Sequence, residues 1–65
     1  MTVVIIIQQE DETYNVYING NKINEVNNLP IQAAESRAKS IISNKGGNGY
    51  IITEKNDGSV SVEKV

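Results

Sequence analysis

The chain begins with Val3 to Ile7, an unbroken run of β-branched residues. Such a run is short enough for a strand and apolar on both faces, which marks an interior strand. After a polar connection over residues 8–12, Thr13 to Ile18 alternates strictly. Tyr14, Val16 and Ile18 fall on one face, and Thr13, Asn15 and Tyr17 on the other, the pattern of a half-buried strand. Asn19-Gly20 is a hairpin signal, because a type I′ turn needs positive φ at both central residues. A two-residue turn there sets Tyr17 opposite Lys22 and Val16 opposite Ile23, predicting a short third strand over residues 22–26.

The period then changes. Ile31, Ala34, Ala38, Ile41 and Ile42 lie at offsets 0, 3, 7, 10 and 11, one face of a helix. The stripe is narrow and rich in alanine, so the helix can lie close to a sheet. Asn28 is the expected cap, and Pro30 fits a first turn whose N–H groups have no partner. Glu35 precedes Lys39 by four residues, the favourable order for an ion pair on the outer face.

Tyr50 to Glu54 alternates again, and Asn56-Asp57-Gly58 leads into a last strand from Val60. A three-residue loop with Gly58 in the left-handed region sets Ile52 against Val62 and Glu54 against Val60. That register gathers Ile52, Val60 and Val62 on one face, expected to be the buried one, with Tyr14 and Tyr50 towards the helix.

The stretches "YNVYINGNKINEV", "AAESRAKSII" and "GGNGYIITEKNDGSVSVEKV" together resemble a family of small bacterial ββαββ proteins of unknown function. The matching features are Ala34, Ala38, Ile42, Gly46, Gly47, Asp57 and Gly58, spread over the last fifty or so residues. The family usually carries a histidine or other polar residue in the strand before the last turn, where this chain reads "YIITE". The resemblance implies the fold rather than an activity.

The expected architecture is α+β in one domain, residues 1–65. An antiparallel sheet of four to five strands has one helix packed on one face, in the order ββ(β)αββ.

Composition narrows the chemistry. The 65 residues contain no cysteine and no histidine, which removes disulfides, the usual zinc ligand sets and the commonest general base. A domain this size buries only about 60% of its unfolded surface, so packing or self-association must carry stability. The net charge is −2, which leaves no excess of cations to release counterions from nucleic acid or an anionic membrane. The apolar start lacks a basic flank and is far shorter than the roughly 20 residues of a membrane span, so a cytoplasmic protein is expected.

The loop "KGGNG" invites comparison with a phosphate cradle. A Walker A loop needs its lysine after the glycines, between a strand and a helix. Here Lys45 precedes them and the order is helix then strand, at the negative end of the helix dipole. Gly46 or Gly47 instead suits the left-handed residue that ends a helix. Glu10, Asp11 and Glu12 are consecutive, unlike the alternating ligands of a calcium loop, and read as a solvated turn. No catalytic, cofactor-binding or metal-binding residues are therefore assigned.

What remains is a surface. Either Val3, Ile5 and Ile7 or Val4 and Ile6 face the helix, and the other set lies on the open side. The expected partner-binding residues are Val4, Ile6, Tyr17, Lys22, Arg37 and Ile51. A contiguous apolar patch marks a protein contact, so the leading expectation is a non-catalytic protein-binding or regulatory module that contacts another protein or a second copy of itself. Small acidic modules occur among bacterial and phage regulatory proteins, an analogy of size and composition alone. The alternative is single-stranded nucleic acid bound by Tyr17, Lys22 and the helix cations.

Overall fold

Seven residues, Thr2–Gln8, form β1 at the centre of the sheet, where a strand apolar on both faces belongs. The computed structural model describes residues 1–19, 21, 22 and 27–65, Lys22 through its backbone. β1 is followed by β2 (Tyr14–Ile18), β3 (Asn21–Lys22), α1 (Ile31–Asn44), β4 (Gly49–Glu54) and β5 (Val60–Lys64). Four full strands lie in the order β2-β1-β4-β5, with the two-residue β3 on the outer edge of β2. Tyr17 faces Lys22, as a two-residue turn requires, and Asn19 has φ 49°. The rest of the expected third strand, residues 23–26, lies outside the described residues.

The sheet is mixed rather than antiparallel. β1 pairs antiparallel with β2 but parallel with β4. The cause is the path of the chain. Leu29 bridges Tyr14 at the end of the sheet where β1 finishes, so α1 starts there. Its 14 residues, at 1.5 Å each, cover about 21 Å, close to the ~23 Å of a seven-residue strand. The helix therefore returns the chain to the end where β1 begins, and β4 starts at Gly49 beside Thr2. Both hairpins are antiparallel, and the helix that joins them makes the seam between them parallel.

The helix ends follow local chemistry. Pro30, not Asn28, is the N-cap, and no side chain caps the first turn. A residue before proline is held extended, which lets Leu29 exchange two backbone hydrogen bonds with Tyr14, at 2.7 and 2.9 Å. Asn28 adopts φ 59° and accepts a hydrogen bond through Oδ1 from Gln9 Nε2 at 2.7 Å. At the other end Gly47 N donates to Ile42 O at 2.8 Å, and Gly46 has φ 104°. This is the six-to-one bond of a Schellman motif, so the glycine loop stops a helix.

Val4, Ile6, Tyr14, Val16 and Ile51 of the sheet pack against Ala34, Ala38 and Ile42 of the helix, with Leu29, Ile31 and Ile41 at the rim. Val4, Ile6 and Ile51 are thus core residues, at 0%, 0% and 1% exposure, not members of an open face. Tyr50, Ile52, Val60 and Val62 take the other side, against the expectation that they face the helix. Gly49 explains the phase of β4: a Cβ there would collide with the Thr2 carbonyl oxygen and press on Ile42 Cδ1. The glycine marks the side on which other atoms approach most closely, and Ile51 and Thr53 share that side. Lys39 does not depend on Glu35 for a partner, since its Nζ reaches Glu63 of β5 at 3.7 Å. Among the described residues no helix is long and apolar enough to cross a membrane.

Candidate protein-binding surface

The open face follows from the registers. Across the sheet, Val3, Tyr50 and Lys64 form one row, Tyr17, Ile5, Ile52 and Val62 the next, and Asn15, Ile7, Glu54 and Val60 the third. The middle row is apolar across the four full strands and continues into β3 at Lys22, which pairs with Tyr17. Each outer row carries one charge, Lys64 in the first and Glu54 in the third. The β1 residues of this face are half-buried by their neighbours, whereas Val60 and Val62 are 60% and 63% exposed.

The footprint of the helix explains this distribution. A helix is about 10 Å wide and strands lie about 4.8 Å apart, so one helix covers β1 and parts of its two neighbours. β5 falls outside that shadow. All five of its residues are exposed, yet its apolar Val60 and Val62 point away from the helix while Ser61 and Glu63 share the helix side. On a strand that no layer covers, placing valines together on the open side extends the apolar face by one more strand.

The edge of β5 belongs to the same surface. Lys55 N donates to Ser59 O at 2.9 Å and Val65 N to Gly49 O at 3.0 Å. In an antiparallel ladder the alternation then turns the backbone groups of Val60, Val62 and Lys64 outward. The residues whose side chains extend the open face also present the outer backbone edge of the described sheet.

The two hairpin turns at one end of the sheet are copies of one device. In each, an aspartate Oδ1 accepts from the backbone N and the hydroxyl of the residue two positions on, Asp11 from Thr13 at 3.1 and 2.6 Å and Asp57 from Ser59 at 2.9 and 2.7 Å. The residue between is left-handed, Glu12 at φ 70° and Gly58 at φ 89°. Hydrogen bonds from the hydroxyl and then the backbone N–H hold both aspartates below their ordinary range. Asn56 ties the turns together, donating from N to Gln8 Oε1 and from Nδ2 to the Gln9 carbonyl, each at 3.0 Å. The acidic run thus serves turn geometry, and among the described residues no cluster of acidic side chains could hold a metal ion.

Of the six residues expected at a partner surface, Tyr17 lies on the open face. Lys22 faces Tyr17 in the ladder. Arg37 is exposed on the helix, so it and Tyr17 belong to opposite layers. Of the two sets left open by the sequence, Val3, Ile5 and Ile7 lie on this face, and Tyr50, Ile52, Val60 and Val62 join them although they were expected on the buried one. Gly49 was the available signal, since a strand glycine marks a close approach and fixes which alternate residues of β4 face the helix. Comparison of the chain with protein-family models, curated proteins and solved structures gives no match.

Proposed function

We propose that this protein acts by binding another protein chain through the open sheet face and carries no catalysis of its own. The observation behind this reading is the middle row Tyr17, Ile5, Ile52 and Val62, an apolar band that crosses four strands on the side away from the helix. Apolar patches of this kind on small domains mark interaction sites. Flat sheet surfaces also present rigid β-branched and aromatic side chains that lose little entropy on contact. The lack of histidine and cysteine supports a role by contact, because these residues supply the commonest bases and nucleophiles.

A photo-reactive residue in place of Ile52 tests this in cells, with the same residue in place of the helix-face Ser36 as control. A discrete protein adduct from position 52 and none from position 36 is expected. Equal or absent adducts from both positions would overturn the reading.

A further inference from the structure

We propose that the occupant of the open face is a second copy of this chain, packed sheet to sheet about a two-fold axis that runs across the strands, so that the strands of the two copies are reversed. This rests on the binding role of the face and adds its partner and geometry. Charge on the four full strands is placed to suit this pairing. Lys64 lies in the row at the start of β1 and Glu54 in the row at its end, on adjacent strands, with the apolar row between.

Reversal about that axis lays the middle row on itself and exchanges the outer rows. Lys64 then stands one strand spacing, about 4.8 Å, to the side of the partner's Glu54. Two such pairs form by symmetry, because a two-fold interface repeats every contact. The Tyr50 hydroxyl also meets the partner's Glu54 as a donor. The other face-to-face two-fold, with its axis along the strands between β1 and β4, instead sets Glu54 beside the partner's Glu54 and over the partner's Ile7. Like charges desolvated together are costly, so the face complements itself in the reversed arrangement.

Four strands span about 19 Å and six residues about 20 Å, so the face has a projected area on the order of 400 Å² before side-chain relief is counted, about half of the roughly 800 Å² per partner of a standard interface. The total accessible surface is 4039 Å², so the projected face is on the order of a tenth of it.

Sedimentation equilibrium of the full chain up to about 200 µM, with circular dichroism to confirm folding, tests the proposal. The expected result is a dimer that Glu54→Lys and Lys64→Glu each weaken at least ~10-fold, while the double swap returns affinity to within ~3-fold. A monomer throughout, or a dimer indifferent to the swaps, overturns it. A monomer that still gives an adduct with another protein from position 52 overturns self-pairing and leaves the binding face standing. A monomer without such an adduct removes both.

Discussion

Ile51 and Ile52 are consecutive residues of β4 with opposite surroundings. Ile51 is 1% exposed beneath the helix beside Val4, and Ile52 stands half-buried beside Ile5 and Val62 on the face away from the helix. Truncating a fully buried isoleucine leaves a cavity, so Ile51→Ala should cost about 3 kcal/mol. Ile52→Ala, on a half-covered face, should cost about 1 kcal/mol or less in the monomer. Urea midpoints at unchanged m-value separate the two.

Gly49 has no room for a Cβ, because the Thr2 carbonyl oxygen and Ile42 Cδ1 occupy the space. Gly49→Ala should therefore force β1, β4 and the helix apart and cost about 2 kcal/mol or more by overpacking. Gly46→Ala meets open space but a φ of +104°. It should cost about 1 kcal/mol through backbone conformation alone. Thermal unfolding of the two variants checks the order.

Glu12 occupies the left-handed position that Gly58 holds in the equivalent turn. Glu12→Gly should raise stability by about 0.5–1 kcal/mol, and Gly58→Ala should lower it by about 1 kcal/mol. Opposite shifts in the denaturation midpoint would establish that the two turns share one geometry.

Asp11 and Asp57 are both held below the ordinary aspartate value of 3.8 by hydrogen bonds to their charged forms. A depressed folded-state value means that the contribution is present above the unfolded value and lost as pH falls through the folded one. The melting temperature should therefore decline as pH falls below 3.8. In the Asp11→Asn, Asp57→Asn double variant the decline should be shallower and the melting temperature at neutral pH lower. An acid decline as steep as that of the wild type would remove these turns from the account.

Much of the molecule was legible along the chain. Alternation in residues 14–18, the Asn19 turn and the Asp57-Gly58 loop set their pairings, because hairpin registers depend on neighbours a few residues apart. The alanine stripe named the buried side of the helix, and Gly46-Gly47 named its stop. A helical period and a left-handed glycine are properties of the local backbone.

The relation between the two hairpins was not local. Whether β4 joins β1 parallel or antiparallel depends on the match between helix length and strand length, and on the Tyr14–Leu29 bridge that starts the helix at one end of the sheet. The choice between Val4 with Ile6 and Val3, Ile5 and Ile7 could not be made from composition, since both sets are β-branched and apolar. The helix, docking on one side and requiring the bare backbone of Gly49 beneath Ile42, made that choice. The elements and most of the turns are short-range consequences of steric and hydrogen-bonding preference and could be read along the chain. Which half of an apolar sheet became core was settled by packing, because among the described residues one helix shields one face of the sheet.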